Sequence, residues 1–184
     1  MTSFSVQTIV VAIDESEVSN IALAAATRLA KALSAKLMIV HVLNPFDLHN
    51  LEPYPIPGLS SADLDESMRR QYEEEWTAHV KHYEALLKQK TDEAIAAGIK
   101  ADFVHPRGMV GATLCEVAKV ADASLLVVGS HQRRGMAEIM LGSTSNYVTH
   151  HSPCSVLVVH PQSNQTEVES EPFAQARPLS TVVT

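Results

Sequence analysis

Cysteine, aromatic residues and long apolar runs are all scarce in this chain, and each scarcity narrows its class. Two cysteines in 184 residues, Cys115 and Cys154, cannot build a disulfide framework, so a reducing cytoplasm is the expected compartment. Both stand in apolar surroundings, which reads as inert buried thiols. No apolar stretch approaches the roughly 20 residues that a membrane span requires. Met1-Thr2-Ser3-Phe4-Ser5 lacks the basic start and apolar run of a signal peptide. Basic residues are in the minority: Lys+Arg 14 against Asp+Glu 21 gives a net charge of −7, which disfavours nucleic acid and anionic membranes as partners. Several site motifs are missing too. There is no G-x-x-x-x-G-K-S/T phosphate loop, and the first strand turns through Asp14-Glu15-Ser16 without a G-x-G-x-x-G. Neither G-x-S-x-G nor H-E-x-x-H occurs, and no internal repeat is visible.

What the chain does have is a series of short apolar runs separated by helical patterns. Thr8 to Ile13 is apolar without alternation, as expected of a parallel strand covered on both faces. Glu15-Ser16-Glu17 then supply capping and first-turn chemistry for a helix. Ile21, Ala25, Leu29 and Leu33 recur every four residues, which predicts the face turned to the sheet. Leu37 to Leu43 predicts a second strand, completing a right-handed βαβ unit.

Residues 44–61 interrupt the pattern with Pro45, Pro53, Pro55, Pro57 and Gly58, a long loop. A long amphipathic helix is predicted from near Ala62 to Ala97. Met68, Tyr72, Trp76, Val80, Tyr83 and Leu87 form its stripe and Gly98 its C-cap, and its first turns project beyond the sheet. Ala101 to Val104 is a weaker third strand. A turn follows at Arg107 to Gly111, then a short helix from Thr113 to Val120 with Leu114 and Val117 inward. Leu125 to Val128 and Ser155 to Val159 are the fourth and fifth strands, with a helix from about Ser143 to His150 between them. Residues 161–184 read as a polar tail, in which Leu179 to Val183 could add a short strand. The expected fold class is α/β: a five-stranded parallel sheet with helices on both faces. In such a sheet ligands sit beyond the carboxyl ends of the strands at the switch point, the side that holds Asp14, the end of strand two and the Gly129 loop.

The stretch from Leu125 to Val159 holds the richest chemistry. Glycine and small hydroxyl residues between a buried strand and a helix start suggest an anion site, because backbone N–H groups there can approach a phosphate. Here the residues are Gly129-Ser130-His131, Arg133-Arg134-Gly135 and Gly142-Ser143, then Ser152-Pro153-Cys154 before Val156-Leu157-Val158-Val159. Together with Val10-Val11-Ala12-Ile13-Asp14-Glu15-Ser16 and His41-Val42, this pattern closely resembles the universal stress protein family over roughly residues 5–160. The resemblance implies an adenine-nucleotide alpha-hydrolase-like, Rossmann-like three-layer sandwich. It also implies a domain at 5–160 that carries the Pro-rich loop, followed by the tail.

The ATP-binding branch of that family uses G-x2-G-x9-G-S/T. Its first glycine falls on Gly129 and its last pair on Gly142-Ser143, but its second falls on Gln132, a departure. The resemblance implies that Asp14 and the Val42 backbone hold adenosine. It also implies that Gly129, Gly142 and Ser143 meet the phosphates, and Ser130, His131, Gln132, Arg133 and Thr144 are expected beside them. If the backbone at Gln132 needs a positive φ, a residue other than glycine costs roughly 1–2 kcal/mol. The Gln132 amide can equally donate to a phosphate. The implied ligand is an adenine nucleotide (AMP, ADP or ATP), with or without Mg. The resemblance further implies a homodimer joined through Val156, Leu157, Val158 and Val159, and a regulatory partner the residues do not name.

Each of these residues also has a plainer reading. Asp14 could merely cap the first helix, and Arg133 and Arg134 could be solvated rather than clamp phosphate. His79 and His82 have metal-compatible i, i+3 spacing but no third ligand, so a solvated helix face is expected. His150 and His151 complement a helix C-terminus. No residue set forms a nucleophile and base, so the expectation is a nucleotide-binding regulatory module in the stress response, with slow ATP hydrolysis at most. The alternatives are a nucleotide-free dimeric interaction or scaffold protein and a weak ATPase.

Overall fold

The computed structural model describes residues 5–44, 66–130 and 142–161. The expectations for the Pro-rich loop beyond Asn44, for His131, Gln132, Arg133 and Arg134, and for the tail beyond Pro161 lie outside those residues. The elements run β1 (Thr8–Ala12), α1 (Glu17–Leu33), β2 (Lys36–Val40), α2 (Glu66–Ala96), β3 (Ala101–Val104), α3 (Val110–Val120), β4 (Leu125–Gly129), α4 (Ser143–His151) and β5 (Ser155–Val159). The strands form one five-stranded sheet in the order β3-β2-β1-β4-β5, with every neighbouring pair parallel. The chain reverses direction across the sheet between β1 and β4, which is the switch point.

Strand alternation divides the core. Ile9, Val11, Leu37, Ile39 and Val127 face α1 and α2 and pack with Ala22, Ala26, Ala30, Leu87 and Ala94. Val10, Val40, Leu126 and Val128 face the other way, onto Leu114 of α3 and Val148 of α4. The central strands are covered on both sides, so their residues need no polar alternation.

The face of α1 is not the one its leucine and isoleucine spacing predicts. Ala22, Ala26 and Ala30 are buried, whereas Ile21, Ala25 and Leu29 are half-covered and Leu33 is 49% exposed. The helix is turned by one residue, about 100°, because alanines let its axis approach the sheet while Leu23 and Leu29 fill the margins. Its N-terminus follows expectation: Ser16 is the N-cap, and its side chain accepts from the Ser19 amide at 3.2 Å.

Smaller corrections concern element ends. β2 closes at Val40 rather than Leu43, although Leu43 still bridges to Arg107. The short helix α3 begins at Val110, three residues before Thr113. Gly98 ends α2 as expected, at φ +84°, with its amide donating to the Ile95 carbonyl at 2.9 Å. The 31 residues of α2 span about 46 Å, far longer than the four of β3, so one end runs past the sheet. Both cysteines are half-buried rather than buried, and burial raises the Cys115 thiol.

Candidate functional site

The strands β1, β2 and β4 end together, and beyond their carboxyl ends the chain leaves a cleft of about 200 Å³. β1 delivers Ala12, Ile13 and Asp14 to it, and the first turn of α1 adds Val18 and Ser19. The end of β2 contributes Val40, His41 and Val42, and β4 contributes Val128 and Gly129. Val110 and Leu114 of α3 supply apolar wall, and Thr144 sits at the head of α4. The switch point thus brings together Asp14, Val42, Gly129 and Thr144, residues up to 130 positions apart in the chain.

Asp14 is tied into its own turn. Its Oδ1 accepts from the Ser16 amide at 2.9 Å and from the Ser16 hydroxyl, and the Ser19 hydroxyl donates to the Asp14 carbonyl at 2.6 Å. The N-cap of α1 is Ser16, and through these bonds Asp14 holds that cap residue in place. Across the cleft, Gly142 is the N-cap of α4 at φ −60° and ψ 161°, followed by Ser143 and Thr144 in its first turn. Glycine brings no side chain to cap those first amides, and the helix end favours an anion. The Ser145 hydroxyl donates to the Gly142 carbonyl at 3.0 Å and fixes the turn.

Gly129 is required by packing as well. A Cβ there would collide with Cγ1 of Val18 and stand 3.2 Å from the Val18 carbonyl carbon and oxygen. Ser130 is fully buried and its amide donates to the Val159 carbonyl at 2.8 Å, so it braces β4 against β5 and does not line the cleft. Its hydroxyl has no partner among the described residues. Gly142 and Ser143 precede Thr144 without lining the cleft themselves. The implied dimer residues Val156, Leu157, Val158 and Val159 are each half-buried, on an edge strand that pairs, among the described residues, with β4 alone.

Sequence reading missed His41. The ring stacks on Tyr83 of α2 at 3.5 Å between centroids and 12° between planes, and its Nδ1 lies 3.0 Å from Nε2 of His105. Burial, then the neighbouring His105 and His79, push its imidazole down to about 4, with Asp14 acting the other way. The visible signal was a lone polar residue inside the apolar run Leu37 to Leu43. The solvated face expected for His79 and His82 holds for His82 and is corrected for His79. His79 sits among the rings, 4.9 Å from Tyr83, with its Nε2 buried and without a partner among the described residues. His82 remains exposed but reaches Glu15 at 2.9 Å, next to Asp14. No group of three metal-binding side chains occurs among the described residues.

The comparisons with known proteins point one way. The sequence model of the universal stress protein family matches residues 5–160. A universal stress protein from Synechocystis sp. is 32% identical over 152 residues, covering 82% of this chain and 96% of its own. Among solved structures, a universal stress protein from Lactobacillus plantarum superposes with a TM-score of 0.64 at 21% identity, over 84% of this chain and 98% of its own. A universal stress protein in complex with cAMP superposes with a TM-score of 0.56 at 28% identity, over 85% of this chain and 98% of its own.

Proposed function

The chain belongs to the universal stress protein family, and on that footing we propose that it is an adenine-nucleotide-binding regulatory module acting as a cytoplasmic homodimer. The observation that carries the reading is the cleft at the switch point, where Asp14, Val42, Gly129 and Thr144 converge. Asp14 accepts from ribose hydroxyls and the Val42 backbone meets the base. The first-turn amides of α4, with the Ser143 and Thr144 hydroxyls, take the phosphate. His131, Gln132 and Arg133 follow Gly129 and Ser130 in sequence and complete the phosphate side in this reading. The cAMP complex of a relative 28% identical supports an adenylate as the ligand class. AMP, ADP and ATP are the candidates, with Mg accompanying the longer phosphates. The edge strand β5 pairs with its counterpart in a second copy, which removes an exposed apolar edge.

Mass spectrometry of small molecules released from the purified protein, with calorimetry of AMP, ADP and ATP, tests this. An adenine nucleotide in the released fraction, or saturable heat with at least one of the three, is the expected result. Zero heat with all three and repeatedly ligand-free protein refute it. The rival, a nucleotide-free interaction protein, has one observation in its favour: the contact between Gly129 and Val18 explains that glycine without any phosphate.

A further inference from the structure

Two unlike sets of contacts hold α2 to the sheet. Toward its C-terminus, Leu87, Thr91 and Ala94 are buried below β2 and β3. N-terminal to Leu87 no described side chain of α2 is buried, and the helix meets the sheet through rings instead. Tyr83 lies flat on His41, and His79 approaches both, at 4.9 Å from Tyr83 and 6.3 Å from His41. Trp76 follows 6.0 Å from His79, with the Arg107 guanidinium 4.8 Å above its ring. The upper half of the helix therefore depends on imidazoles, the side chains whose charge changes most readily on mild acidification.

We propose that this ring cluster is an acid-operated catch: while His41 and His105 are neutral it holds the Tyr72 to Tyr83 half of α2 down, and protons release that half while the Leu87 to Ala94 half stays docked.

The geometry explains why protons oppose the closed form. His41 Nδ1 and His105 Nε2 face each other at 3.0 Å, so one must donate and the other accept. A second proton on the pair makes both of them donors. The groups facing His41 are Asp14 from the end of β1, His79, His82 and Tyr83 from α2, and His105 from beyond β3. Among the described residues only Asp14 favours the cation. Glu84 acts likewise on His105, and Glu15 is engaged with His82. Burial and the neighbouring imidazoles hold His41 near 4 instead of its ordinary 6.5. Between those values an open form, with its ring in water, binds more protons than the closed one, so acid favours opening. From His41 alone, the open-to-closed ratio rises about 30-fold between about pH 7.5 and about pH 5. His105, lowered by burial and by His79, acts in the same direction.

Hydrogen–deuterium exchange of the full chain at about pH 7.5 and about pH 5, corrected for intrinsic amide rates, reads this directly. Protection over residues 72–83 is expected to fall about 30-fold more than protection over 87–94. His41→Phe keeps a ring against Tyr83 but takes no proton, so most of that difference should vanish. Tyr83→Ala removes the stack, and its residues 72–83 should already exchange freely at pH 7.5. Both halves losing protection together, an unchanged upper half in acid, a wild-type acid response in His41→Phe, or a protected upper half in Tyr83→Ala would each overturn the catch. If His41→Phe fails to fold, the wild-type pH pair and Tyr83→Ala still decide. The readout is protection of α2, so the result holds whether or not the cleft takes a nucleotide.

Discussion

Two neighbouring places at the carboxyl ends of the strands have opposite solutions to the same problem. Above β1 and β4 the chain places small or short residues, Ala12, Ser19, Gly129 and Thr144, and leaves a cleft. One strand over, above β2, the rings of His41, His79, Tyr83 and His105 occupy the equivalent space. A strand end is concave by topology, and residue size decides whether it becomes a site or a joint. His41 belongs to both, lining the cleft while stacking in the cluster.

Substitutions that reverse the two solutions test the contrast. The largest effect is expected from His41→Ala, which empties the filled side. It leaves a hole beneath Tyr83 and removes the partner of His105, at a cost of about 3 kcal/mol in the urea unfolding free energy. Filling the open side comes next. Gly129→Ala drives a methyl group into Val18 and should cost about 2 kcal/mol, and adding Val18→Ala should recover most of it. A double variant as unstable as the single would show that the Val18 backbone, rather than its side chain, is what keeps position 129 glycine. Asp14→Asn keeps an oxygen for the Ser16 amide, so stability should barely change. Calorimetry should nonetheless show AMP binding about tenfold weaker, the loss of one charge-assisted hydrogen bond. The smallest effect should come from His82→Ala, because its contact with Glu15 is exposed on both sides. A stability change above about 1 kcal/mol there would mean that the α2 catch extends to the Asp14 turn.

The sequence made the strands and the switch-point side legible because buried parallel strands are uninterrupted apolar runs whose ends can be counted. Asp14 follows from that count, one residue past such a run, whereas Val42 was reached through the family resemblance. The packed face of α1 was hidden because alanine carries little hydrophobic signal, so Ile21, Leu29 and Leu33 drew attention from Ala22, Ala26 and Ala30. The ring cluster was hidden for another reason. His41 and His105 are 64 residues apart, and nothing local in either stretch announces the other. The contact of Val18 with Gly129 is likewise long-range, so the glycine read as a phosphate feature when packing already demands it.

The placement of β1 at the centre of the sheet also constrains how the protein is made. One edge of β1 pairs with β2 within a few dozen residues, but the other must wait for β4, as the hydrogen bond from the Gln7 amide to the Ser124 hydroxyl spans 117 positions. A ribosome has therefore delivered two-thirds of the chain before the middle of the molecule can close. Until then the exposed flank of Ile9, Val10 and Val11 is open to any passing strand, and the nascent protein is at its most vulnerable to association during that interval.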